Sequence, residues 1–410
     1  MKRHLLIIAT MDTKGKEAEF VRMCSLEQGI QPIVMDIGTL GEPHISPDIT
    51  SYEVARAAGY DLAEIKSRKD RSEAVRAMEE GGARMVEGLF AEKRIDGVIG
   101  MGGGTGTGIV SFIMRHLPFG FPKLIVSTVA SRDIREYIRT KDIVIFHSVA
   151  DLLGFNAFIR KILRQATLAI CGMIDEGYEI RNSRPMVAVT AYGVSSVCAM
   201  NAEPLLEKRG YEMIGFHANG IGGMAMEELI AQGLIAGVLD FTPHEIADDM
   251  FGGYCRGIGP ERFETAGKMG IPYIFAPGGL DNAVFSPFYP MPDSLKGRRT
   301  YTHDIRFCVR MERDELLMFA RIIGEKLNRS RGPTYVLIPK KGWSEADREG
   351  MPLYDPDMNR VFVDELKGIL RPDIPIEEID SHISDEVFAL RAVDVLDGMI
   401  KGVNGVFRVN

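Results

Sequence analysis

The sequence predicts an α/β protein built from two doubly wound domains, each with a mainly parallel sheet, and a cleft between them. Three observations lead there. Short apolar runs alternate with helix-compatible segments over most of the chain, the alternation breaks at residues 181–185 and then restarts, and 410 residues exceed what one domain usually holds. Strand, crossing helix and strand in succession give parallel pairs with right-handed connections. The boundary falls after residue 182, leaving domains of residues 1–182 and 183–410.

In the first half, residues 5–9, 31–37, 97–100, 123–127 and 143–147 read as strands, and 16–28, 108–116 and 152–176 as helices. From Gly38 to about Arg71 runs a long segment punctuated by Pro43 and Pro47, in which Ser51 is placed to cap a helix. Residues 70–93 form an amphipathic helix with Ala74, Met78, Met85, Val86 and Leu89 on one face. In the second half, 186–190, 212–217, 237–241, 271–276 and 335–339 read as strands. Residues 195–208, 223–232, 243–250 and 312–328 read as helices.

Composition narrows the function. A hydrophobic share of 45% and a charged share of 26% fit well-packed cores. A net charge of −8 argues against broad binding to nucleic acid or to anionic membranes. No apolar stretch is long enough to span a bilayer, and the opening MKRHLLIIATMDTKGK reads as a first strand rather than a leader. The five cysteines, Cys24, Cys171, Cys198, Cys255 and Cys308, lie far apart without the close pairs of zinc or redox motifs. Reduced, mostly buried thiols in a cytoplasmic protein are expected, with no metal site.

The chemistry concentrates in RIDGVIGMGGGTGTGIVS, residues 94–111, where an apolar strand runs into glycines and then a helix. Glycines bare the backbone amides, and free N–H groups at a helix start favour an anion. No lysine follows as in a P-loop, and Thr107 stands where a dinucleotide fingerprint has its third glycine. A tight turn alone needs one or two glycines. Gly102, Gly103, Gly104, Thr105, Gly106 and Thr107 therefore read as a phosphate or carboxylate cradle.

Ligands of open α/β sheets sit beyond the carboxyl ends of the strands. That adds Asp12, Thr13 and Lys14, which otherwise read as a helix cap and a solvated lysine, and the Thr128 and Ser131 hydroxyls. In the second domain His217, His244, Glu245 and Asp281 follow strands and could serve as acid, base or metal ligand, with His217, Glu245 and Asp281 the candidate catalytic groups, although the histidines lack regular metal-ligand spacing and a bland reading makes these hydrogen-bonded structural residues. Gly220, Gly222 and Gly223 form a second amide-rich turn. Trp343, the only tryptophan, reads as part of a surface loop at a cleft rim or subunit contact.

The segments ATMDTKGKEAEFVR, DIGTLGEPHISPDIT, DRSEAV, STVASRD, FHANGIGGMAMEELI, DFTPHEIADD and APGGLDN, with the glycine loop, occur in order along the whole chain. Together they resemble the family of ATP-binding proteins related to the tomato mosaic virus resistance protein Tm. The resemblance implies two Rossmann-like domains, ATP on the first of them and a homodimer; Mg2+ would come with the ATP through Asp12, whose carboxylate could hold it. It places ATP on Gly102, Gly103, Gly104, Thr105 and Thr107, and on Thr128, Ala130 and Ser131. Longer members append a barrel domain, which for this chain would be a separate polypeptide. The plant role against viral replication does not carry over, because it would rest on surface residues outside these segments.

Two functions follow. One is a nucleotide-binding enzyme or enzyme subunit that acts on a small acidic metabolite in the cleft, facing His217, Glu245 and Asp281. The other is a nucleotide-dependent sensor that binds a partner protein.

Overall fold

The computed structural model describes residues 2–177, 179 and 184–404. The chain divides into two compact units, residues 1–181 and 182–410.

The first unit contains β1 (His4–Ala9), α1 (Met11–Glu27), β2 (Gln31–Asp36), α2 (Ser51–Ala57), α3 (Leu62–Arg68), α4 (Arg71–Ala91), β3 (Gly97–Gly102), α5 (Gly104–Met114), β4 (Lys123–Ser127), α6 (Arg135–Ile138), β5 (Val144–His147) and α7 (Ala157–Glu176). Its five strands form one sheet in the order β2-β1-β3-β4-β5, every pair parallel. Successive side chains of a strand face opposite ways. Leu6 and Ile8 accordingly enter a core with α2, α3, α4 and α5, whereas Leu5, Ile7 and Ala9 enter another with α1 and α7. A strand covered on both faces must be apolar throughout, which is why the run 5–9 was legible.

The second unit contains β6 (Met186–Ala191), α8 (Ser196–Lys208), β7 (Glu212–His217), α9 (Ile221–Ala231), β8 (Gly237–Asp240), α10 (Glu245–Phe251), α11 (Thr265–Met269), β9 (Tyr273–Phe275), β10 (Asn282–Phe285), β11 (Thr300–Thr302), β12 (Phe307–Arg310), α12 (Arg313–Asn328), β13 (Thr334–Pro339), α13 (Pro356–Ile369), β14 (Ile376–Ile379) and α14 (Glu386–Asn404). Its six-stranded parallel sheet has the order β14-β13-β9-β8-β6-β7. Helices α8 and α14 cover one face, and α9, α12 and α13 the other. Both sheets are thus wound outward in two directions from their first and third strands.

Several details differ from the sequence reading. The cap of α2 is Thr50, not Ser51: Thr50 Oγ1 accepts from Glu53 N at 3.2 Å, and the Glu53 carboxylate accepts from Thr50 N at 2.8 Å. Helix α5 begins at Gly104, so most of the glycine run is its first turn rather than a loop before it. The antiparallel sheet β10-β12-β11 and the helix α13 were not anticipated. Trp343 is buried against Phe362, its Nε1 donating to Pro339 O at 3.1 Å, so it forms no surface rim. All five cysteines are free and buried.

Candidate functional site

In the first sheet the connections leave β1 towards β2 on one side and β3 towards β4 on the other. The crevice at the carboxyl ends of β1 and β3 is the topological switch point, where open α/β sheets take their ligands. A cavity of about 230 Å³ lies there, lined by Asp12, Thr13, Lys14, Thr39, Leu40, Arg71 and residues 102–106.

The glycines divide by what a side chain would meet. A Cβ on Gly102 would come within 2.7 Å of Gly106 Cα, so the strand-to-helix turn itself demands that glycine. Gly103 would meet only Thr128 Oγ1 at 3.7 Å, Gly106 only Met101 O at 3.6 Å, and Gly104 nothing within 4 Å. None of the three has a positive φ. The fold leaves room for a side chain at each, yet Gly104 and Gly106 cost a helix about 1 kcal/mol apiece relative to alanine. The amides of Gly104, Thr105 and Gly106 stand in the first turn, without intrahelical acceptors.

Positive charge comes from two sides. Lys14, at a kink in α1, donates from Nζ to the Leu152 carbonyl at the edge of the cavity. Arg71 opens α4 behind its cap Asp70, and its Nη2 lies 3.4 Å from Thr105 Oγ1. Sequence reasoning missed Arg71, although DRSEAV contains it. Asp12 accepts from Leu40 N at 2.8 Å and Gly41 N at 3.0 Å through Oδ2, while its buried Oδ1 has no hydrogen-bond partner among the described residues. A Cβ on Gly38 would lie 3.0 Å from that oxygen and 2.9 Å from Asp36 Oδ1. Burial pushes the Asp36 carboxyl up, against the amides of Met11 and Gly38 that hydrogen-bond it.

Not every predicted ligand faces the cavity. Thr107 is buried, and its hydroxyl is engaged with Gly102 O at 3.3 Å and Ser127 Oγ at 2.8 Å, so it braces the turn from behind. Thr128 joins the loop through its N–H to Gly102 O at 3.2 Å. Ala130 and Ser131 follow in the next turn and do not line the cavity.

The second unit uses its glycine turn differently. A Cβ on Gly220 would strike Arg256 O, one on Gly222 would strike His217 O, and one on Gly223 would lie 2.6 Å from Glu245 Oε2. The Gly220 amide donates to Glu245 Oε1 at 2.6 Å, and the Gly222 amide to Asn219 Oδ1 at 3.1 Å. Glu245 is wholly buried and also accepts from Arg262 Nε at 3.0 Å. Arg262 clasps Asp240 as well, and lies 3.8 Å from Glu227. Burial pushes the Glu245 and Glu227 carboxyls up; at Asp240 it is outweighed by Arg262, Tyr273 and Thr190, which hold that carboxyl below the usual range.

His217, Glu245 and Asp281 therefore differ in setting. His217 is exposed at the end of β7, with its ring 5.2 Å from that of Tyr192. Glu245 is the internal anion of the glycine turn. Asp281 is buried in another network, accepting from Ser344 Oγ and Asn282 Nδ2 at 2.8 Å each and lying 3.9 Å from Arg310. Arg310 also lies 3.3 Å from Asp347, whose carboxyl is pushed up to about 7 by burial and by Asp281 beside it. Beside Tyr192, His244 is buried and stacked on that ring at 4.3 Å, and burial holds its imidazole down at about 4.

Two doubly wound parallel sheets, the first with a glycine-lined crevice at its switch point, define a Rossmann-like two-unit α/β protein. The chain belongs to the uncharacterised protein family UPF0261, whose N-terminal domain matches residues 3–179 and whose C-terminal domain matches residues 184–400. A UPF0261 protein of Clostridium tetani is 38% identical over 98% of this chain and 100% of its own length. The relative in Rhizobium meliloti is 37% identical over 96% and 98%. The tomato protein ToMV resistance protein Tm-1(GCR237) is 36% identical over 74% of this chain, which matches 41% of that longer protein. No described helix is long and apolar enough to cross a membrane.

Proposed function

We propose that the first unit binds a nucleotide through its phosphates at the switch-point cavity, ATP being the nucleotide that the family resemblance implies. The observation that carries this reading is the set Gly103, Gly104 and Gly106, three glycines that neither packing nor backbone angle requires, lining a cavity with Lys14 and Arg71 at its edge. Bare amides at a helix start bind phosphate oxygens, and the two cations offset the charge. Asp12 lines the same cavity, its Oδ1 has no hydrogen-bond partner among the described residues, and its carboxylate is the group that would hold Mg2+ with the nucleotide. The cation supplies neutralisation of the phosphate charge; the amides, Lys14 and Arg71 bind and orient the phosphates.

Of the two functional classes, the nucleotide-dependent sensor gains from the second unit, because Glu245 and Asp281 are committed to internal hydrogen bonds rather than offered to a substrate. The enzyme reading retains His217, which is exposed, for chemistry on a small acidic metabolite. Cytoplasmic residence, a homodimer and a separate barrel-domain partner belong to the same proposal.

Calorimetric titration with ATP, ADP and AMP, with and without Mg2+, tests the site. A Cβ added at Gly104 meets no atom within 4 Å, so Gly104→Asp adds its charge at an open position. A carboxylate about 4 Å from a phosphate costs about 4 kcal/mol at an effective dielectric constant near 20, so affinity should fall roughly 100-fold or more. Absence of binding by the wild-type protein, or equal binding by the variant, overturns the assignment.

A further inference from the structure

The geometry points to a second site that the glycine loop and its nucleotide do not involve: we propose that His244, Asp248 and Cys255 in the second unit form a three-ligand site for a zinc-like divalent cation. One ligand atom from each lies within 4.8 Å of the others, and all three residues are fully buried.

Local structure assembles the set. His244 precedes α10 and Asp248 lies one turn into it, and residues four apart share a helix face. Gly252, at φ +66, ends the helix, and Gly253 has no room for a Cβ, which would lie 2.7 Å from Val284 O and 2.9 Å from Asp248 Cγ. The chain so turned brings Cys255 back, and its N–H donates to Asp248 Oδ2 at 2.7 Å. Asp248 Oδ1 accepts from Val284 N at 2.7 Å, which fixes the carboxylate.

The imidazole supplies the second, independent observation. His244 Nε2 lies 2.7 Å from Ala218 O. A carbonyl oxygen only accepts, so the proton is on Nε2, and Nδ1 is left with its lone pair. That atom is buried and has no hydrogen-bond partner among the described residues. A ring with one nitrogen donating to a carbonyl and the other keeping a free lone pair is how metal-binding histidines are held.

The donor set, imidazole, carboxylate and thiolate, selects a borderline cation such as Zn2+ over Mg2+ or Ca2+, which prefer all-oxygen sites. Binding breaks the Cys255 S–H bond and releases that proton to solvent. Two anionic ligands and one dication then sum to zero charge, which a fully buried position tolerates. The surroundings favour a cation further, because one guanidinium, Arg262, faces three carboxylates, Asp240, Glu245 and Glu227. The Tyr192 hydroxyl is hydrogen-bonded to Cys255 beside the set.

The test uses the full chain, stripped with a chelator and titrated with Co2+. One cobalt per chain should bind and give a thiolate-to-cobalt charge-transfer band, and Zn2+ should displace it. Cys255→Ser should abolish the band and weaken binding roughly 100-fold or more, since losing a ligand costs at least as much as losing an outer-sphere partner. Cys198→Ala, in a separate core, should keep the band. Failure of the wild-type protein to bind Co2+, or binding without the thiolate band, overturns the proposal whether or not any variant folds. Neither result depends on the nucleotide cavity.

Discussion

The two glycine-rich turns, β3 to α5 inside the first sheet and β7 to α9 at the edge of the second, each join the carboxyl end of a strand to a helix, yet they are built for opposite ends. In the second, the glycines are required by neighbouring backbone, and the Gly220 amide at the helix start is already taken by the buried carboxylate of Glu245. In the first, one glycine, Gly102, serves the turn, and three more leave room for a Cβ, Gly104 in open space and Gly103 and Gly106 at ordinary contact distance from one atom each, in a cavity edged by Lys14 and Arg71. A helix-start amide is satisfied from within in one unit, whereas in the other the helix start opens on a cavity. A glycine run thus says that backbone comes close to something; only packing says whether that something is protein.

The contrast is sharpest in stability. Gly222→Ala places a Cβ against the His217 carbonyl and should prevent the second unit from folding. Gly104→Ala, at a helix position with free space, should leave the melting temperature unchanged or raise it, by up to about 1 kcal/mol in stability. Equal loss of stability in both variants, read by thermal unfolding, breaks the comparison.

Glu245→Ala removes the internal anion and leaves Arg262 with one fewer partner in a closed interior. Breaking a buried pair in this way costs about 3–5 kcal/mol, measured by denaturant unfolding. A near-neutral result would mean that the second turn does not depend on its own carboxylate. On the open side, Arg71→Ala should weaken nucleotide binding about tenfold, equivalent to about 1.4 kcal/mol, with unfolding unchanged because the side chain is exposed. Unaltered affinity in calorimetry would remove Arg71 from the site.

A separate effect is in pH. Asp347 has its folded carboxyl raised to about 7 from an ordinary value of 3.8, so the folded state holds a proton that the unfolded state has released. Stability of the second unit should therefore fall as pH rises from about 4 to about 7. Asp347→Asn should flatten that slope in melting curves taken across the range, and an unchanged slope would assign it to other groups.

The parallel strands were legible because they are covered on both faces and must be apolar without interruption, as residues 5–9 and 124–126 are. The sheet β10-β12-β11 was not, since strands of three or four residues carry too little pattern, and Tyr301 is flanked by exposed threonines. The glycine cradle announced itself, whereas Arg71 looked like any polar residue opening a helix. Trp343 misled for the converse reason: charged neighbours Lys340 and Lys341 suggested a surface, while the ring itself turns inward.

By itself the sequence determined the two-unit α/β plan, the order of most elements and the concentration of glycine at residues 102–106, because each of these is written in local periodicity and in the absence of side chains. Tertiary structure alone decided which glycines are free, that Glu245 fills its own helix start, and that His244, Asp248 and Cys255 meet. Those outcomes depend on atoms brought together by folding, and the close approach of Gly253 to Val284 that carries Cys255 back to its partners has no counterpart in the spacing of the chain.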